Sequence, residues 1–180
     1  MSGWLAALMS ALLLAAVSTI GDFLWARFVT EHRTAYGLLH GIVVCLAIGF
    51  ALGVHRRRPL AGALAGAVVG LAAAASFYGL APWLGYSAMF VAWMGLWVGF
   101  GLISGSAIRS SVARGVAAAV LSGAAFYAIS GIWTRPGPGA PDYLYHYLCW
   151  TVAFLPGFLA LLVRAASSSD DDSRSQSSAV

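Results

Sequence analysis

In an apolar chain the side chains able to hold or pass a proton are conspicuous, and here they gather early. Asp22 and His40 interrupt otherwise apolar runs, with Arg27, Glu31, His32 and Arg33 between them in the stretch GDFLWARFVTEHRTAYGLLHG, Gly21 to Gly41. A carboxylate favours protonation of a neighbouring imidazole while desolvation opposes ionisation of both, which is how proton-linked sites are built. An ionisable group at membrane depth is costly and marks a functional site by default. The plainer reading is that Asp22 and His40 bond each other, Ser18 or water, so that neither is buried without a partner. Asp22 lies one turn before Trp25 and His40 one turn after Tyr36, so a hairpin sets both at similar depth near one interface. Arg27, five residues beyond Asp22, is about 140° further round a helix, which disfavours a salt bridge within that helix.

Catalytic templates are missing from the chain. It contains no His-Glu-x-x-His, paired Asp motif or Gly-x-Ser-x-Gly, and Gly99 to Gly105 (GFGLISG) does not follow a strand as a phosphate loop would. Glu31 and His32, with Asp22 and His40 nearby, have only generic metal spacing, so no metal site is assigned. Cys45 and Cys149 each lie inside an apolar run and read as small core residues. The expectation is a protein that is not an enzyme and carries no cofactor.

The elements that must position Asp22 and His40 follow from composition. The 180 residues are 61% hydrophobic and 9% charged, with a mean hydropathy of +0.84. A soluble domain with a hydrated surface does not show these values. All ten basic residues are Arg, set at segment ends rather than in a stripe, so no nucleic-acid partner is indicated. A spanning helix needs about 20 apolar residues. Six runs approach that length, at 4–28, 35–54, 60–80, 86–105, 111–133 and 142–163. The fold class is therefore an all-α polytopic membrane protein with six transmembrane helices. Residues 1–164 form one transmembrane domain, and the polar tail 165–180 (AASSSDDDSRSQSSAV) is expected to be disordered. Met1 to Ala26 has no basic residue, so the first span is expected to be retained rather than cleaved as a signal. Arg56, Arg57, Arg58, Arg109, Arg114, Arg164 and Arg174 fall on one side, against Arg27, Arg33 and Arg135 on the other. The positive-inside rule then places both termini in the cytoplasm.

Asp22-Phe23-Leu24-Trp25, Ser76-Phe77-Tyr78 and Ala125-Phe126-Tyr127 each sit towards the end of an odd-numbered span. Each is followed by an even-numbered span containing His40-Gly41, Trp93-Met94-Gly95 or Trp150. Three hairpin repeats is one reading, and chance similarity among apolar segments is the other. Gly37, Gly41, Cys45, Gly49 and Gly53 make a continuous small face on span two. Gly62, Gly66, Gly70 and Ala74 do so on span three, and Gly115, Ala119 and Gly123 on span five. Such faces are packing seams in membranes. Phe90, Trp93, Trp97 and Phe100 form an aromatic stripe on span four, which walls a cleft for a lipid-like ligand, fills the core or faces lipid. Pro156-Gly157 in span six removes a backbone bond and kinks the helix.

Ala140-Pro141-Asp142-Tyr143-Leu144-Tyr145, followed by Trp150 and an apolar helix ending in Arg164, resembles the last hairpin of the INSIG (insulin-induced gene) proteins. Gly95-Leu96-Trp97 before a basic loop, Tyr36 to Gly49, and the six-span count are also similar. The resemblance covers about half of the chain. It implies a non-enzymatic lipid sensor, since eukaryotic members bind oxysterols and retain sterol-regulated partners. The loop Ser104 to Arg114 has no acidic residue where the family's partner-binding loop carries an aspartate, so partner retention does not carry over. A prokaryotic-type homologue in the plasma membrane, binding an ordinary membrane lipid, fits the short chain and its lack of Lys.

Two functions are expected from these features. One is binding of an amphipathic, diacylglycerol- or sterol-like lipid in an intramembrane cleft walled by Gly41, Gly49, Phe90, Trp93 and Trp97, with Asp22 or His40 fixing the head. The alternative is a small proton-linked transporter or channel using Asp22 and His40. A membrane lipid is the expected partner, and the surplus of glycine faces suits a homo-oligomer.

Overall fold

The computed structural model describes residues 3–28, 33–104, 108–129 and 143–163. Glu31, His32, the turn through Pro141 and Asp142, and the tail 165–180 lie outside the described residues, as does the side chain of Arg27. The chain folds into helices α1 (Gly3–Phe28), α2 (Arg33–His55), α3 (Pro59–Leu84), α4 (Ala88–Ser104), α5 (Ile108–Ile129) and α6 (Tyr143–Leu162). Five of them, all but α4, are long and apolar enough to cross a membrane. The protein is thus an all-α polytopic membrane protein. α4 has 17 residues, about 25 Å against the ~30 Å of a hydrocarbon core. A single 3-10 turn, Gly85–Ser87, precedes it and makes up most of the shortfall. α3 runs past the expected end at residue 80 to Leu84 with Pro82 in its last turn.

Each helix packs on its neighbours in sequence, and α1 packs on α6, so the six close into a ring. α1 against α2 is the loosest seam of that ring, and α2 against α3 the tightest. The glycines explain the tight seam. A Cβ at Gly66 would overlap the Cys45 carbonyl, one at Gly49 the Gly62 carbonyl, and one at Gly70 the Gly41 carbonyl. Lipid tails are as apolar as Leu, so helices gain little by burying hydrocarbon and gain by bringing backbones close.

The turn between α2 and α3 is built by a matching pair of backbone bonds. Arg58 N–H donates to the Gly53 carbonyl (2.8 Å) and Arg57 N–H to the Val54 carbonyl (3.1 Å). This is the Schellman pattern, which places Arg57 in the left-handed region at φ 60°. Pro59 then opens α3, where its missing N–H costs nothing, and the Arg58 carbonyl accepts from Gly62 N–H at 3.0 Å.

Inside the ring the space is filled by rings rather than by glycine faces. Trp97, Phe100, Phe154, Phe158, Leu14 and Ile48 are the largest fully buried side chains. Pro156 and Gly157 serve this filling: a Cβ at Gly157 would collide with the Trp97 indole.

Two substitutions test these assignments. Gly66→Ala should destabilise by about 1–3 kcal/mol through overpacking, whereas Gly79→Ala, with open space around it, should stay within about 1 kcal/mol of wild type on the stabilising side. Unfolding in mixed micelles reads both. Arg57→Gly relieves the left-handed strain and should raise stability by about 1 kcal/mol; a loss would show that the Arg57 side chain holds the turn.

Candidate functional site

Asp22 lies six residues before the Phe28 end of α1, in the last turn of its apolar span Gly3–Leu24. Its carboxylate is the meeting point of three helices. Trp150 Nε1 donates to Oδ2 at 2.8 Å, and His146 Nε2 lies 3.0 Å from the same oxygen. His40 Nε2, from α2, lies 3.5 Å from Oδ1. An indole N–H only donates, so Trp150 is the fixed donor to Oδ2, and the roles of the two imidazoles follow from their tautomers. The three ionisable side chains are part buried, at 30% exposure for Asp22, 28% for His40 and 18% for His146.

Local sequence makes each approach possible. Gly21, beside Asp22, leaves room for the His40 ring, which a Cβ there would strike. His146 and Trp150 are one turn apart on α6 and therefore share a face. Phe23 packs at a tilt on Tyr143 (4.2 Å) and meets His146 edge-on (5.2 Å). Trp150 is held by Phe154 at 4.9 Å and by Trp93 at 6.2 Å. Trp93 in turn stacks on Phe126 at 4.8 Å and donates to Ser122 Oγ at 3.2 Å, and Ser122 bonds the Ala153 carbonyl. The carboxylate is thus backed by a continuous aromatic stack running towards the middle of the membrane.

One turn inward from Asp22, on the same face of α1, stands Ser18. Ser18 and Thr19 are buried, and neither hydroxyl has a hydrogen-bond partner among the described residues. The contrast with other hydroxyls in the helices is clear. Ser76 bonds the Ala72 carbonyl at 2.7 Å, and Thr151 the Tyr147 carbonyl at 2.9 Å, the usual refuge of a hydroxyl on a membrane helix.

Of the residues expected at the site, the structure brings Asp22 and His40 together and distributes the rest. Gly41 meets Gly70 and Ala74 of α3, and Gly49 meets Gly62 and Gly66. Trp93 and Trp97 are buried in the core, while Phe90 is 45% exposed beside Tyr127. The small face of α2 and the aromatic stripe of α4 are therefore not set against each other. The first is closed by the α3 backbone, and the second packs on α5 and α6. Two donors, His146 and the indole of Trp150, were not foreseen. Their signal was a lone His four residues before a Trp in span six, a polar pair on one helical face. Among the described residues no group of three His, Cys, Asp or Glu is arranged to hold a metal ion.

A double-mutant cycle tests the hub. Asp22→Ala and His146→Ala should couple by about 0.5–3 kcal/mol in unfolding free energy, and Asp22→Ala with Ser76→Ala should be additive within about 0.5 kcal/mol. Additivity in the first pair would mean that the carboxylate and imidazole do not interact.

Comparison with protein families, with curated proteins and with solved structures finds no match to this chain.

Proposed function

We propose that this chain is a non-enzymatic integral membrane protein that senses an amphipathic lipid through a hydroxyl-bearing, diacylglycerol- or sterol-like head bound at Asp22. The observation that carries this reading is the unequal satisfaction of the carboxylate. Oδ2 accepts from Trp150 and lies 3.0 Å from His146 Nε2, whereas among the described residues Oδ1 has only His40 at 3.5 Å and the hydroxyls of Ser18 and Thr19 beneath it have no partner. A lipid hydroxyl donates to Oδ1 and accepts from a hydroxyl of α1, which satisfies polar groups that hydrocarbon cannot. The head enters at the α1–α2 seam, the loosest of the ring. Its tails lie on exposed Ile20 and Leu24 of α1 and Leu39 and Val43 of α2. This places the ligand at the rim of the ring and leaves Trp93 and Trp97 as the backing of the site.

The resemblance of Tyr143-Leu144-Tyr145, Trp150 and the six-span plan to the INSIG proteins supports the reading, and membership of a prokaryotic-type branch of that family is part of the proposal. The basic residues Arg56, Arg57, Arg58, Arg109 and Arg114 gather at the end of the ring where α1 begins. That bias supports a plasma-membrane protein with both termini in the cytoplasm.

A photoactivatable diacylglycerol probe in nanodiscs tests the site. Labelling should fall on α1 and α2 peptides, drop at least fivefold in Asp22→Ala, and persist in Phe90→Ala. Labelling that ignores Asp22→Ala removes the lipid reading. A proton-linked transporter is the second reading, favoured by one carboxylate being shared between two imidazoles within the membrane. Under it, flux in proteoliposomes responds to a pH gradient and vanishes in Asp22→Asn while probe labelling of wild type is absent.

A further inference from the structure

At the end of the ring opposite Asp22 the charge balance is one-sided. Asp22 is the only acidic residue among the described residues, so Arg56, Arg57, Arg58, Arg109 and Arg114 have no carboxylate partner among them. One of these arginines is not simply splayed into water. Arg56 reaches across from the α2–α3 turn to the C-terminus of α4, where Nη1 lies 3.5 Å from the Ile103 carbonyl. Arg114, on α5, comes near enough for its charge to act on Arg56: burial first, and then that like charge, lower the Arg56 pKa from its usual value. The next residue after Ile103 adds a third polar group. Ser104 is 7% exposed, and its hydroxyl has no hydrogen-bond partner among the described residues.

Close packing explains why these groups converge. A Cβ at Gly101 would overlap Gly115 and the Ser111 carbonyl, so α4 and α5 cross with backbones in contact just above Ser104. The left-handed Arg57 reverses the chain into α3 immediately after Arg56, whose guanidinium reaches the α4 C-terminus. One guanidinium set on the α4 C-terminus, a second charge close enough to act on it and a buried hydroxyl next along the chain have no carboxylate among the described residues to serve them. Guanidinium forks match tetrahedral phosphate oxygens bidentately, and a hydroxyl donor completes the set.

We propose that Arg56, Arg114 and Ser104 form a binding site for the phosphate of an anionic phospholipid headgroup. The location selects lipid over a soluble anion. The site lies where α2 and α4 end and α5 begins, at the end of three apolar helices where a membrane span gives way to headgroups, and Leu102 and Ile103 beside it are exposed for acyl-chain contact. The headgroup phosphate bridges the α2–α3 turn to the α4 C-terminus and α5, tying α2 to α4, which otherwise meet only narrowly. The site is separate from the Asp22 cluster and stands whether or not that cluster binds lipid.

Native mass spectrometry of the full chain in neutral detergent, titrated with phosphatidylglycerol, phosphatidylcholine or inorganic phosphate, provides the test. Wild type should bind phosphatidylglycerol about tenfold more tightly than phosphatidylcholine. Arg56→Gln/Arg114→Gln should lose about tenfold in affinity, against less than threefold for Arg57→Gln/Arg109→Gln, which removes the same charge. Ser104→Ala, which removes a hydroxyl and no charge, should lose about threefold and keeps the test intact if the double variant fails to fold. Equal losses in the two double variants would mean diffuse surface attraction and overturn the site. So would competition by millimolar inorganic phosphate, or lipid binding that emerges only after Asp170, Asp171 and Asp172 are changed to Asn.

Discussion

A carboxylate set below the membrane interface has to gather donors, and the donors that Asp22 gathers come from helices far apart in the chain. Trp150 and His146 bring α6 to α1, and His40 brings α2 to the other side. The circular order of the six helices is tied together at this point: without the α1–α6 contact the structure would be a row of hairpins with two open ends. Because an unsatisfied polar group in hydrocarbon costs several kcal/mol, one aspartate has leverage over the arrangement of three helices.

The remainder of the ring is held by two kinds of close contact that divide the labour. Between α2 and α3, and between α4 and α5, glycines let backbones touch, which fixes helix pairs at short separation. In the interior, Trp93, Trp97, Phe126, Trp150, Phe154 and Phe158 fill the space that such pairs leave at the centre. The aromatic rings also have a positioning role. The stack from Phe154 through Trp150 sets the indole that donates to Asp22, so packing at mid-membrane is transmitted to the polar cluster by direct contact. Trp97 is the exception, since its indole N–H is buried with no partner.

Spacing within one helix was readable from sequence, and contact between helices was not. The i+4 glycines of α2 and α3 announced small faces, and the structure pairs them. That the aromatic stripe of α4 would turn to α5 and α6 depends on which neighbours flank it, and periodicity carries no such information. The same limit governs the site. Asp22 and His40 share a hairpin, so their proximity followed from depth alone. His146 and Trp150 lie 124 and 128 residues from Asp22, and only ring closure makes them partners. Boundaries moved where local chemistry was subtle: α3 continues through Pro82 because a proline near a helix end removes only one bond, and the turn at Gly85 comes later than the apolar run suggested.

The long sequence interval between Asp22 and its donors also sets an order of events during synthesis. At about 5–20 residues per second, α6 is made roughly 6–25 s after α1 has entered the membrane. Through that interval the aspartate has only His40, eighteen residues on, and its indole donor does not yet exist. Insertion of α6 is therefore the step that brings Asp22 its indole donor and closes the ring. The early helices are held in an incomplete, polar-frustrated arc until the final helix arrives to seal it.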